Sequence, residues 1–285
     1  MKKALTFGGL ILVLMALAGC EDDDPVYDPI PQPPQGVFSI TGDGWVDLWW
    51  MYPYDRDIKE FLVYRAEAPM DEPPEEYTLQ FRVPAVDNPE LNLVWDSTRD
   101  NSVDNGKTYW YALATVDHAG RVSDLSAEPV FDTPRPEGVV TLRDYALDVN
   151  NAGFDFNGKN VVSAGSPSAD VWIDSFDGIL YLNAGDTLGT RYTDIQDMGF
   201  TGSWDVIGWA PTDGWSNLGW AEIIIGHTYI IWTDDEHFAK LRVISVDGVT
   251  GTVMFQWAWQ PQVNNPELIA PHGGATETTA GRPAM

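Results

Sequence analysis

The chain has 285 residues, 44% hydrophobic and 12% aromatic, and sets 43 acidic side chains against 16 lysines and arginines for a formal charge of −27. A field of that sign repels phosphate backbones and anionic headgroups, which argues against nucleic acid as a partner and against purely electrostatic membrane adhesion. With Cys20 as its only cysteine the chain has no intrachain disulfide, and its length suits one or two domains held by their own cores.

In chain order, Lys2 and Lys3 precede an apolar run from Ala4 to Ala18. That run is shorter than the ~20 residues a spanning helix needs and has the build of a secretory signal. It ends in Leu17-Ala18-Gly19-Cys20, which resembles the lipobox of bacterial lipoproteins. The resemblance implies that residues 1–20 are a lipoprotein signal peptide, that Cys20 is acylated, and that the mature chain hangs from a membrane by its lipid. The alternative is an ordinary cleaved signal with an incidental cysteine. Glu21 stands where enteric lipoproteins retained at the inner membrane carry aspartate, which points to the outer membrane of a Gram-negative cell. Residues 21–35, with Asp22 to Asp24 and five prolines from Pro25 to Pro34, read as an acidic, semi-stiff stalk.

Strand signals then follow one another. Val46, Leu48 and Trp50 share one face of a period-2 pattern, and Phe61 to Arg65, Leu79 to Val83, Leu91 to Trp95, Tyr109 to Val116 and Ser126 to Phe131 are rich in strand formers between turn residues. About seven short strands in about 100 residues are the footprint of an immunoglobulin-like sandwich. Val46-x-Leu48-x-Trp50, Phe61-x-Val63-Tyr64-Arg65 and Gly106-Lys107-Thr108-Tyr109-Trp110-Tyr111-Ala112-Leu113 resemble a fibronectin type III domain over 36–133. The resemblance implies that Trp50 is the core tryptophan and that Tyr109 forms the tyrosine corner. Tyr111 and Leu113 are expected to face inward. Trp110, Ala112, Ala114 and Val116 then face outward, and so apolar a face is expected to pack against the second half of the chain.

Residues 138–262 read as a second antiparallel β-domain, so the fold class is all-β. Val139 to Ala146 is a strand or one helical turn; Val171 to Ser175, Ile179 to Asn183, Ile223 to Ile225, Thr228 to Thr233, Ala239 to Val246 and Thr252 to Gln260 are strand candidates. The last three are expected to form a meander. Gly226-His227-Thr228-Tyr229, Ala239-Lys240 and Phe255-x-Trp257-Ala258-x-Gln260 are weakly similar to the HmuY-like family of lipoprotein domains, some of which bind haem, although no histidines here fall on matching positions. Residues 263–285 lack apolar periodicity and read as a disordered tail.

The chemistry-bearing residues are sparse. No Gly-x-Ser-x-Gly elbow and no zincin histidine pair occurs, so no catalytic residue, metal site or resident cofactor is assigned. His227 and His237 flank one expected hairpin and would approach if its strands paired in register; Asp234, Asp235, Glu236, Asp55 and Asp57 are turn carboxylates with weak calcium potential. Tryptophan is the unusual resource. Trp204, Trp209, Trp215 and Trp220 lie in or beside a glycine-rich loop and are the tentative ligand- or partner-binding residues, either a stacking surface for a glycan or an aromatic plug. The expected function is a membrane-anchored, non-catalytic binding or scaffold lipoprotein of the cell envelope acting on a protein partner. Ligand capture (glycan, or haem) is the alternative, and an envelope hydrolase ranks last.

Overall fold

The computed structural model describes residues 29–127 and 129–268. The leader, Cys20, most of the stalk and the chain beyond 268 lie outside the described residues. In chain order the first unit contains β1 (Gln35–Gly42), β2 (Trp45–Pro53), β3 (Ile58–Glu67), β4 (Thr78–Pro84), β5 (Leu93–Asp100), β6 (Tyr109–Asp117) and β7 (Val130–Asp132). Two antiparallel sheets, β1-β2-β5 and β4-β3-β6-β7, face each other. This is the strand order of a fibronectin type III sandwich.

The alternation in β2 dictates its placement. Val46, Leu48, Trp50 and Tyr52 are buried while Trp45, Asp47, Trp49 and Met51 are half-exposed. Trp50 and Tyr52 meet Phe61 of β3 at ring separations of 5.4 and 4.6 Å, bridging the two sheets. At the corner, the Tyr109 hydroxyl accepts a hydrogen bond from the Asp104 amide (3.0 Å). Tyr111 and Leu113 are fully buried in the same core. Val63 pairs with Phe81 beside a bulge, which brings β4 onto the β3 edge.

The second unit contains β8 (Glu137–Arg143), β9 (Gly153–Asp155), β10 (Asn160–Val162), β11 (Val171–Phe176), β12 (Ile179–Ala184), β13 (Thr193–Phe200), β14 (Trp220–Glu222), β15 (His227–Thr233), β16 (Phe238–Asp247) and β17 (Thr252–Trp259). Its sheets run β10-β9-β11-β12-β14 and β13-β15-β16-β17-β8. The expected meander is present as β15-β16-β17, and Val253, Phe255, Trp257 and Trp259 all go into buried positions. The 139–146 stretch resolves as a strand, because Val140 and Leu142 alternate inward and β8 pairs with the free side of β17.

Three expectations are corrected and one strand was missed. The Ile223 to Ile225 run is not a strand: β14 ends at Glu222, Ile223 enters the core, and Ile224 and Ile225 are exposed. β13 was not anticipated, because only Ile195 of its Thr-Asp-Ile-Gln-Asp-Met pattern carries a buried apolar signal. The outward face of β6 is buried, but the second unit does not cover it throughout. Trp110 packs tilted against Phe131, which is set edge-on to Trp209 of the second unit with ring centres 6.4 Å apart, whereas Ala114 and Val116 are buried with Leu62 and Tyr64 of the neighbouring strand. Finally, order does not stop at 262. Asn265, Glu267 and Leu268 are buried, and the Leu268 amide donates to the Gly208 carbonyl (2.8 Å).

Candidate functional site

The two units meet in a buried polar joint. The Arg135 amide donates to the Gly42 carbonyl (3.2 Å) and the Gly106 amide to the Pro134 carbonyl (2.7 Å), so the linker is stitched to the first unit as it leaves β7. From the other side, the Gln262 side-chain amide donates to the Thr108 hydroxyl (3.1 Å), and the Thr133 hydroxyl donates to Glu267 Oε2 (2.7 Å). Asn265 Nδ2 reaches Gln262 Oε1 at 2.9 Å, and Gln260 Nε2 donates to the Glu267 carbonyl at 3.1 Å. Gly106 has φ +80°, and a Cβ there would sit 2.9 Å from the Pro261 ring, so the approach of the two units demands glycine.

Charges inside the joint are held far from their ordinary states. Burial, and then the neighbouring Glu267 carboxyl, push Asp132 well above the usual carboxylate range; burial also raises Glu267. Two adjacent buried carboxyls cannot both ionise cheaply, which favours the protonated form of at least one of them. Arg135 is fully buried, and its guanidinium nitrogens have no hydrogen-bond partner among the described residues. Burial, then Arg135, depress Lys240, whose Nζ donates to the Trp204 carbonyl (2.9 Å) and lies 4.2 Å from the Trp204 ring centre. A joint of this kind is costly to open to the wrong charge state and fixes one arrangement of the units. Above it lies a cleft of about 450 Å³ lined by Glu67, Met70, Lys107, Thr108, Gln262 and Asn264 among others.

The four tryptophans do not gather on one exposed face. Trp204 covers Lys240, Trp209 meets Phe131, Trp215 packs on Trp232 and Phe238, and Trp220 is set edge-on to Tyr181. Their glycine-rich connections serve the joint and the adjacent core rather than a stacking platform. His227 and His237 are also apart: His227 opens β15 opposite Phe200, while His237 lies in the turn beyond the other end of that strand. His227 Nδ1 pairs with Asp197 at 3.0 Å, and His237 Nδ1 contacts the Gln260 carbonyl at 2.9 Å. Asp235 accepts from Thr233 and Glu236 from Asn264, so the turn carboxylates are occupied as staples. No group of three or more His, Cys, Asp or Glu side chains is placed to hold a metal ion among the described residues.

One surface with unspent apolar chemistry is the pole of the second unit remote from the joint. Phe176 and Phe200 are each 73% exposed, and Ile179, Ile224 and Ile225 are exposed beside them. Pairing brings these residues together. Phe176 stands opposite Ile179 at the β11–β12 hairpin, the Ile223 amide donates to the Leu180 carbonyl (2.8 Å), and Phe200 stands opposite His227. Tyr229 makes the pole rigid: its hydroxyl accepts from the Ile224 amide (3.0 Å) and donates to the Glu222 carbonyl (2.6 Å). Gly226 has φ +82°, and a Cβ there would be 2.6 Å from the Phe200 ring, so Phe200 lies directly over the backbone. Gly226-His227-Thr228-Tyr229 thereby repeats, one unit later, the corner built by Gly106-Lys107-Thr108-Tyr109. Sequence reading overlooked this pole because its residues are scattered over three connections.

No protein-family description matches the chain, and no curated protein does. Among solved structures, a myokine shares 16% identity and a TM-score of 0.26 over 37% of this chain and 99% of its own. The twitchin kinase region from C. elegans shares 15% identity and a TM-score of 0.29 over 59% of this chain and 32% of its own. The chicken CNTN1 FN1–FN3 domains share 11% identity and a TM-score of 0.30 over 85% of this chain and 65% of theirs. At these scores, the description of the first unit rests on its own strand order.

Proposed function

We propose that the chain is a non-catalytic scaffold lipoprotein of the bacterial envelope, anchored by acylated Cys20, that presents the apolar pole of its second β-domain to a protein partner. The pole carries this reading. Two phenylalanines and three isoleucines, exposed together on a backbone fixed by Tyr229, form a preorganised apolar patch of the kind protein interfaces bury. Its position suits a presented surface. The stalk enters the first unit at Gln35, the joint lies at that unit's far end beside Gly42, and the patch lies beyond the second unit's end remote from the joint. A joint built of interlocked buried polar groups transmits that spacing instead of dissipating it in a hinge.

The test has two arms. A photo-crosslinking amino acid at Phe200, in cells, should give one discrete protein adduct that Phe176→Ser or Ile225→Ser weakens at least about fivefold, the loss expected when an interface anchor is removed. Adducts unaffected by either change would reject the pole as the docking site. Incorporation of labelled palmitate should be present in the wild type and absent in Cys20→Ser; equal incorporation, or none in either, would reject the anchor.

A further inference from the structure

The first unit has an apolar pole of its own, at the end where the chain enters. Leu93 and Trp95 point outward from β5, Trp95 being 52% exposed, and Val86 and Leu91 project from the β4–β5 connection. This connection is tied down throughout. The Val86 amide donates to the Tyr52 hydroxyl (3.0 Å), the Tyr54 hydroxyl donates to Asp87 (2.7 Å), the Ala85 amide donates to the Lys59 carbonyl (3.0 Å), and the Tyr54 amide donates to the Asn92 carbonyl (3.1 Å). Its apolar side chains are therefore displayed on a fixed frame, without a mobile loop tip to fold them away.

We infer that this pole docks on the phospholipid surface of the membrane that carries the anchor, with Trp95, Leu93, Leu91 and Val86 seated at the headgroup boundary. The inference rests on the acylation of Cys20 proposed above. Two observations carry it. First, the chain arrives here: Gln35 stands opposite Met51, and Met51 opposite Trp95, so the stalk joins the domain on the strands that bear the patch. Eight residues separate Cys20 from Pro29, and the nine steps between them span at most about 30 Å, which keeps this pole within reach of the bilayer. Second, a tryptophan with aliphatic neighbours is the composition that partitions to the membrane–water boundary.

Cys20 is the sole cysteine, so in the acylated protein a second cysteine is the only free thiol. A nitroxide on Leu91→Cys in the full lipidated chain, reconstituted in phosphatidylcholine vesicles, would report collisions with oxygen and with a water-soluble nickel chelate. Val249→Cys, on an exposed turn of the second unit, serves as reference. The oxygen-to-nickel ratio should be at least about threefold higher at 91 than at 249, as for a side chain ~5–10 Å into the headgroup region. Adding Leu93→Ser with Trp95→Ser should return it to the reference value. Equal ratios at 91 and 249 in a vesicle-bound, acyl-labelled chain would overturn the docking and leave the anchor standing. Absence of acyl label and of vesicle binding would overturn both. Pure lipid vesicles contain no protein, so a raised ratio there assigns the pole to lipid and not to a partner.

Discussion

At the scale of single residues, two tyrosines do equivalent work in the two units. Tyr109 and Tyr229 each sit three residues after a glycine of positive φ and return a hydroxyl to the amide five residues upstream. The Tyr229 bond is the more consequential, since it also satisfies the Glu222 carbonyl and fixes the strand end that bears Ile224 and Ile225. Tyr229→Phe leaves an amide and a carbonyl without their partner and should cost about 1–2 kcal/mol. It should also weaken the Phe200 crosslink, because the patch would lose its frame. Urea denaturation gives the first quantity; a stability loss within error would show that water replaces the hydroxyl. Trp50→Ala tests the opposite sandwich core. Trp50 is fully buried against Phe61, so truncation should cost about 3–5 kcal/mol by the same measurement.

At the scale of elements, the ease of reading each one tracks how much of its burial is a property of the segment itself. β2, β6 and β17 announce themselves through runs of large apolar residues, whereas the core role of Trp50 is implied by the resemblance to fibronectin type III domains, and β6 turns out to be buried on both faces. β13 does not announce itself, because pairing with β15 is what makes it a strand. The Ile223 to Ile225 run misleads for the converse reason: its composition suits a strand, but Gly226 turns the backbone and Tyr229 captures it as a corner. The segment Asn265-Pro266-Glu267-Leu268 looks like a polar tail because its burial depends on Thr133 and Gly208, distant in sequence. Leu268 lies in one cluster with Ala210, Ile230 and Phe238. Leu268→Ala should therefore cost about 2–4 kcal/mol. Val263→Ala, at an exposed site five residues earlier, should change stability by less than ~0.5 kcal/mol. Equal, small effects would mean that this segment is not part of the folded body.

At the scale of the whole molecule, the joint couples stability to pH in a direction opposite to ordinary acid denaturation. Asp132 and Glu267 are raised, and burial, partly offset by the Phe156 amide and Arg191, pushes Asp170 up to about 6. A carboxyl raised on folding keeps a proton that the unfolded chain has released. Its favourable contribution is complete below the unfolded carboxylate range and is lost as pH rises through the folded value. Asp100 works the other way: burial acts upward on it, but Ser102 and Arg65 outweigh that and hold it low, so its contribution is lost on acidification. Between about pH 4 and 7 the buried joint and the relief of negative repulsion act together, and the protein should be more stable at pH 5 than at pH 7. Asp132→Asn isolates the joint. The amide imitates the protonated acid, Glu267 remains to face Arg135, and Glu137, Asp205 and Lys240 keep their places around that guanidinium. The variant should gain roughly 1 kcal/mol at pH 7, where the wild-type pair is most strained, and little at pH 5. Its stability should vary less with pH than that of the wild type, as read from urea midpoints across the range. A variant that loses stability at both pH values would show instead that Asp132 is ionised and serves as the counter-charge of Arg135. The joint would then be a buried ion pair, not a protonated acid pair.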